Sequence, residues 1–356
     1  TISTWPRSCI SAVRRSAAAD VEPLRAVIIG CGAIAGGYNE RASVSGTFSH
    51  AAAYRDHPGF EVVACIETDA DRRAAFMAYW SIAEGHDTFA SLRASGTAFD
   101  VASICAPTAL HEELLVDLAD ANVKGVFCEK PMTADVDRAT AIAKRYRDAG
   151  IPIAVNYTRR WNPSIGELAA RISDGEFGSA LNGVATYDRG VLHHGSHMID
   201  LIQMLAGPVR FDRLFASRPG HTPEDPLCDA VVTTPSGAPI TLLGVDAGPT
   251  GVFELQLMFE DAVVALEDFS RYIRIRRAMP EPLTPGRNRI ANSATMETRW
   301  PEALAHAFAE FHDAVRDGTP LSSDSINAAS AEMICAAIRD AARAPATCQP
   351  EKVQAR

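Results

Sequence analysis

The sequence predicts two domains: a doubly wound α/β domain on a parallel sheet, then an α+β domain on an antiparallel or mixed sheet. Three observations carry this. In the first half, short apolar strands alternate with helical patterns of about 10–15 residues, the mark of strand–helix–strand units. The β-branched run Leu24-Arg25-Ala26-Val27-Ile28-Ile29 leads straight into Gly30-Cys31-Gly32-Ala33-Ile34-Ala35. Beyond about residue 156, strands follow one another, broken by Gly, Pro and Asp, and helices become few.

The Gly-x-Gly-x-x-Ala turn has a physical reading. Gly30 permits the tight turn, Gly32 lets backbone approach a pyrophosphate, and the small Ala35 lets the next helix pack on the strand. The amides that open that helix, at Ala33 and Ile34, then face the phosphates. This is the start of a Rossmann domain. The second strand, Phe60-Glu61-Val62-Val63-Ala64-Cys65-Ile66, ends in Glu67. A carboxylate there accepts hydrogen bonds from ribose hydroxyls and repels a 2′-phosphate. NAD is therefore the expected cofactor, with NADP the alternative because Arg72 and Arg73 follow closely. Gly30 and Glu67 stand farther apart than the roughly 20 residues of the simplest unit. The excess lies in residues 36–49, a polar, glycine-rich insertion read either as a disordered excursion or as a lid.

Next come a helix over Asp69–Tyr79, a short strand around His86–Phe89, and a buried strand over Asp100–Cys105 closed by Ala106-Pro107-Thr108. A helix over Ala109–Ala121, strand Val123–Cys128, helix Asp135–Ala149 and strand Ile151–Val155 complete the half. Ligands bind outside the carboxyl ends of such strands. Ala106, Pro107 and His111 follow one strand end, and Glu129-Lys130-Pro131 follows the next, so all are cofactor-side candidates. Lys130 on that turn reaches a ligand rather than bulk water; the alternative is a surface lysine on a loop. Asn156 and Arg160, just past the last strand, suit sugar hydroxyls, an anionic group, or a structural role.

In the second half, strands are expected over Val209–Ala216, Ala230–Thr234, Ile240–Val245, Val252–Phe259, Ala262–Glu267 and Tyr272–Arg276. Helices are expected over Ser164–Ser173, His197–Leu205, Pro301–Asp317 and Asp324–Ala342. Before the second of these lies His193-His194-Gly195-Ser196-His197-Met198-Ile199-Asp200. Imidazoles suit proton transfer near neutral pH. No carboxylate and cysteine set at zinc spacing accompanies them, so no metal is expected. Asp200, three residues after His197, shares a helical face with it or serves as an acid near a helix start.

The 356 residues are 47% hydrophobic and 22% charged, ordinary for a globular chain able to bury two cores. A net charge of −10 with no basic patch argues against nucleic acid, and no apolar run is long enough to cross a bilayer. Eight cysteines without a paired or metal-ligand spacing suggest a reducing, cytoplasmic setting. Residues 1–22, with Arg7, Arg14 and Arg15 and no acid before Asp20, superficially resemble a transit peptide and are set aside as a flexible leader.

Over residues 24–345 the chain resembles the glucose–fructose oxidoreductase, inositol dehydrogenase and rhizopine-catabolism family. The likeness rests on the Gly30–Ala35 turn, Glu129-Lys130-Pro131, Asn156-Tyr157-Thr158-Arg159-Arg160, Gly195-Ser196-His197-Met198-Ile199-Asp200, and the ending with Gly318 and Pro320. The His193–His197 cluster, with the loop after Gly36, looks most like a subgroup associated with polysaccharide biosynthesis. The resemblance implies a Rossmann domain over 23–155 and a substrate-binding and oligomerisation domain with a large open sheet and C-terminal helices over 156–345, followed by a tail over 346–356. It implies bound NAD(P), hydride transfer at a sugar, cyclitol or nucleotide-sugar carbon, and a homo-oligomer, dimer or tetramer. It places Lys130 beside the nicotinamide and the reacting hydroxyl and His197 as acid/base; beside them, His193 is read as a catalytic candidate that orients His197, shares its proton or binds a sugar hydroxyl, and His194 as a substrate contact. Many members carry an aspartate four residues before that histidine. Here His193 stands in its place, which removes a carboxylate that would orient the base but leaves the hydride-transfer machinery. Two other readings share the fold: a glycosidase that oxidises its sugar only transiently, and a sensor that binds the dinucleotide without chemistry.

Overall fold

The computed structural model describes residues 22–344; the leader up to residue 21, the tail, Cys9 and Cys348 lie outside the described residues. Six parallel strands form the first sheet: β1 (Leu24–Ile29), β2 (Phe60–Ile66), β3 (Glu84–His86), β4 (Val101–Ile104), β5 (Gly125–Cys128) and β6 (Ile153–Val155). Their order is β3-β2-β1-β4-β5-β6, so the chain switches direction between β1 and β4. The ligand crevice of such a sheet opens there. Helices α1 (Tyr38–Arg41), α2 (His50–Asp56), α3 (Ala70–Trp80), α4 (Phe89–Ser95), α5 (His111–Asp120) and α6 (Val136–Asp148) connect the strands. β4 and β5 are buried along their whole length, and covering helices on both faces explain their unbroken apolar sequences.

Local signals set the helix starts. Asp69 accepts the Arg72 amide at 2.9 Å, and Asp135 accepts the amides of Asp137 and Arg138. α4 was not expected from the sequence, although Thr88 and Ser91 form a capping box at its start. The short strand falls at Glu84–His86, a little before its expected place. The insertion is a tethered turn, which removes the disordered alternative. Asn39 Oδ1 accepts the Phe48 amide at 2.8 Å and the Ser49 hydroxyl at 2.9 Å, while its Nδ2 donates to the Gly46 carbonyl.

The second sheet follows α7 (Pro163–Ser173). In chain order it comprises β7 (Ala180–Tyr187), then, after α8 (His194–Ala206), β8 (Arg210–Thr222), β9 (Asp225–Thr233), β10 (Pro239–Gly244), β11 (Phe253–Phe259), β12 (Ala262–Glu267), β13 (Tyr272–Pro280), β14 (Asn288–Ile290) and β15 (Thr295–Glu297). The strand order is β14-β13-β12-β11-β7-β10-β9-β8, with β15 on β13. It is mixed because β7 and β10 run parallel. β7 sits inside the sheet and escaped the sequence reading, since Asn182 and Gly183 dilute its strand pattern. β8 extends past the expected Ala216, through Pro219, to Thr222; as the sheet's last strand it tolerates a proline.

Helices α9 (Ala303–Asp317) and α10 (Ser325–Arg343) close the chain. A sequence division at 156 places both with the second sheet, but α9 packs on the first. Phe308 stacks on Phe127 of β5 at 4.5 Å, and Leu304, Ala307 and Phe311 join the same cluster as Leu24, Ala26 and Ile28 of β1. Burial of this apolar face, rather than sequence order, decides where the helix lies.

Candidate active site

At the end of β1, Gly30 has φ 90°, and a Cβ there would stand 2.7 Å from the Ala106 nitrogen. Only glycine lets β1 and the turn after β4 approach so closely. A Cβ on Gly32 would meet nothing within 4 Å, so this side of the turn is open to an approaching pyrophosphate. Ala33 and Ile34 begin a wide π turn, Ala33–Gly37, rather than a regular α-helix. Glu67 lies beside the turn, 8% exposed; its carboxylate accepts the amides of Cys31 and Asp69, each at 3.1 Å. Arg72 pairs with it at 3.3 Å, and Arg73 donates to its main-chain carbonyl. Burial pushes the Glu67 pKa up, but the two amides and Arg72 outweigh it, and the group stays below the ordinary range. An ionised acid beside an open glycine turn fits the adenosine end of a dinucleotide.

His111 is buried at the crevice wall. Its Nδ1 lies 2.8 Å from the Pro131 carbonyl and its Nε2 2.8 Å from the Ala106 carbonyl. The ring thus ties the turn after β4 to the turn after β5, with both nitrogens engaged by backbone. Pro107 precedes the short 3₁₀ turn Thr108–Leu110 that leads into α5.

The turn after β5 is Glu129-Lys130-Pro131, with a cis bond before the proline. Glu129 is held from two sides: His50 Nε2 donates at 3.1 Å and Asn156 Nδ2 at 2.6 Å. His50 is fully buried, and its Nδ1 meets the Ser103 hydroxyl at 3.0 Å, which in turn meets the Tyr54 hydroxyl at 2.9 Å. Burial raises the Glu129 pKa, yet His50 and Asn156 bring it below the usual carboxylate value. Asn156 therefore points into the network behind the turn. Sequence reasoning missed His50, because nothing near it in the chain marks it as Glu129's partner.

Lys130 reaches across to the second domain. Its Nζ donates to the His193 carbonyl at 3.1 Å and lies 3.4 Å from His193 Nδ1. Burial lowers the Lys130 pKa to about 8, against the opposing pull of the Glu129 and Asp225 carboxylates. The lysine is thus poised between donor and acceptor forms near neutral pH.

α8 begins at His194, earlier than the expected His197, so the histidine cluster forms its first turn. Asp225, also missed from sequence, sets this entry. Its carboxylate accepts the amides of Leu192 at 2.6 Å and His193 at 2.9 Å. His193 stacks on His194 with centroids 4.9 Å apart, and His194 Nδ1 lies 2.5 Å from Asp188 Oδ1. His197 packs edge-on to Tyr157 at 5.4 Å. Burial holds His197 well below an ordinary imidazole pKa, and the Lys130 and Arg159 cations push the same way. Arg159 lies 3.8 Å above the Phe253 ring, and burial lowers its pKa to about 9.

Arg160 and Asp200 are turned toward each other. Nε meets Oδ1 at 2.7 Å, and Asp200 is 1% exposed. Burial lifts Asp200 to about 6 despite the arginine. The pair braces the turn after β6 against α8, and Arg160 also donates to the Ser322 carbonyl. Lys130, His193, His194 and His197 are thus brought together, Asn156 supports them from behind, Arg160 and Asp200 engage each other, and Glu67 lies at the other end of the crevice.

This fold and crevice define a class: chains with a Rossmann domain followed by a second, sheet-based domain. Residues 24–157 match the model of the oxidoreductase family with an NAD-binding Rossmann fold. Over that first domain the chain is similar to a family that is NAD-binding. Inositol 2-dehydrogenase of Mycolicibacterium smegmatis is 29% identical over 269 residues, covering 67% of this chain and 74% of its own. D-apiose dehydrogenase of Paraburkholderia graminis is 27% identical over 207 residues, covering 53% and 51%. The matched part runs from 23% to 74% of the curated relatives' own lengths. The WlbA dehydrogenase of Bordetella pertussis, crystallised with NADH and UDP-GlcNAcA, superposes with a TM-score of 0.72 at 18% identity, covering 90% of this chain and 97% of its own. At that identity the likeness concerns the fold.

Proposed function

We propose that this chain is an NAD(P)-dependent oxidoreductase that moves hydride between the nicotinamide and a secondary alcohol or ketone of a sugar, cyclitol or nucleotide sugar. The observation that carries the reading is the meeting of Lys130, from the crevice end of β5, with the imidazoles that open α8. The names of the relatives, acting on inositol and apiose, support the substrate class.

Bound NAD(P) supplies the hydride acceptor or donor. Lys130 donates to the reacting oxygen and stabilises the negative charge that grows on it, an effect strengthened where water is excluded. Glu129, held by His50 and Asn156, fixes the turn that aims the lysine. A proton acceptor must be neutral, and depressed imidazole pKa values keep the α8 histidines so. The pH limb near 6.5 expected of an ordinary imidazole therefore moves to lower pH. Glu67 favours NAD over NADP.

The test is a panel of sugars, cyclitols and nucleotide sugars read by nicotinamide fluorescence. Net formation or loss of NADH with one of them supports the reading. Product release with no net change in nicotinamide supports a transient-oxidation glycosidase, and binding without chemistry supports a sensor.

We further propose a cytoplasmic homo-oligomer. All six described cysteines are free and buried, as a reducing compartment allows. Val184 on β7, Leu243 on β10 and Phe215 on β8 are exposed on the open face of the second sheet, which a second copy would cover. Val184→Lys with Leu243→Lys should shift the solution mass, read by light scattering, toward the monomer; an unchanged mass would place the contact elsewhere.

A further inference from the structure

Within that oxidoreductase reading, we infer that His194, backed by Asp188, is the imidazole that takes the substrate's proton. The sequence placed this role on His197 and left His193 where relatives carry a carboxylate. A carboxylate nevertheless reaches the cluster, from a different element. Asp188 follows the last residue of β7, and its Oδ1 lies 2.5 Å from His194 Nδ1. The Asp188 side chain is 5% exposed and that of His194 18%. An ionised carboxylate only accepts, so Nδ1 carries the hydrogen and Nε2 keeps its lone pair. The same contact stabilises the imidazolium that forms when Nε2 takes a proton.

The other two imidazoles are less suited. His193 Nδ1 faces the Lys130 ammonium at 3.4 Å, so protonating that ring sets two cations side by side. His197 lies against the Tyr157 ring, and none of the described residues hydrogen-bonds its imidazole. His194 instead belongs to a continuous row. Lys130 meets His193, His193 stacks on His194 at 4.9 Å, and His194 is anchored by Asp188. The rings of Phe269 and Phe253 flank it at 5.8 and 6.3 Å. The charged groups around His194 are Asp188, which favours its imidazolium, and Lys130 and Arg159, which disfavour it.

In oxidation, bound dinucleotide would take up the hydride, the carbinol hydrogen with the electron pair of its C–H bond. The O–H bond breaks as the C=O forms, and the proton ends on His194 Nε2. Reduction returns both along the same path.

The dyad is testable before any substrate is known. In cofactor-free protein carrying ¹⁵N-histidine, two-bond N–H spectra report each ring's tautomer across pH. His194, assigned by its loss in His194→Gln, should be the Nδ1–H form, and Asp188→Asn should lower its pKa and weaken that preference. An Nε2–H tautomer, or no response to Asp188→Asn, overturns the proposal. With a substrate from the panel, Asp188→Asn and His194→Gln should each cut kcat by about 10²-fold or more, while dinucleotide Kd stays within a few-fold. His197→Asn should cost less than either, and the opposite ranking also overturns it. A wild-type protein that turns over no substrate counts against the oxidoreductase reading, while the tautomer spectra still decide the dyad.

Discussion

Lys130 shows how one residue becomes visible in a sequence. A lysine directly after an apolar run, before a proline, stands at a strand's carboxyl end, and in a parallel sheet that end is the ligand crevice. Glu67 was legible by the same logic. His50 and Asp225 were not, because each acts on a partner distant in sequence and bears no motif, and Asp188, six positions before His194, stands at a strand end that the sequence pattern does not mark. His50 meets Glu129 79 positions away, and Asp225 meets the His193 amide 32 positions away. Two predictions belong to this scale. In the oxidative direction the neutral imidazole accepts the proton while the ammonium form of Lys130 donates to the reacting oxygen, so kcat/KM should be level near neutral pH and fall as pH rises through about 8. A profile level through pH 10 would contradict the donor role. Glu67→Ala should weaken NAD(H) binding by about tenfold or more while NADP(H) changes little, since a charged acceptor for ribose hydroxyls is lost. Titration with both dinucleotides checks it, and equal losses would remove Glu67 as the selector.

At the scale of elements, the first sheet was readable because strands buried on both faces write continuous apolar runs. The second was read less completely: a half-covered strand such as β7 writes a mixed pattern, with Ala185 and Tyr187 buried while Val184 is exposed. The position of α9 was not legible at all, since it depends on which apolar surface is left uncovered. α10 carries a further dependence. Its Glu332 accepts the Met132 amide at 2.7 Å through one oxygen, and its other oxygen is buried without a partner among the described residues. Burial raises its pKa from 4.5 to about 7. Between those values the folded state holds more protons than the unfolded one, so stability falls as pH rises through that window and stays lowered above it. Glu332→Gln keeps an acceptor for Met132 and removes the charge. Denaturant titration should show it more stable than the parent at pH 8, by up to about 3 kcal/mol, with little difference at pH 4.5. A variant less stable than the parent at pH 8 would mean that the carboxylate is needed ionised.

Across the whole molecule, the two sheets meet where β5 ends and α8 begins. One sheet supplies the glycine turn and Lys130, and the other leads into the imidazoles, so on the proposed reading neither domain holds the chemistry alone. The overall class was therefore legible from motifs, while the geometry of the site depended on how two cores pack. The central claim is that Lys130 acts on the reacting oxygen from this junction. The most direct measurement is single-turnover hydride transfer in the parent and in Lys130→Met, with dinucleotide affinity measured on the same samples. The rate should fall by about 10²–10³-fold while dinucleotide Kd stays within about tenfold, because the lost interaction belongs to the transition state. A folded Lys130→Met protein that transfers hydride at the parent's rate would contradict it.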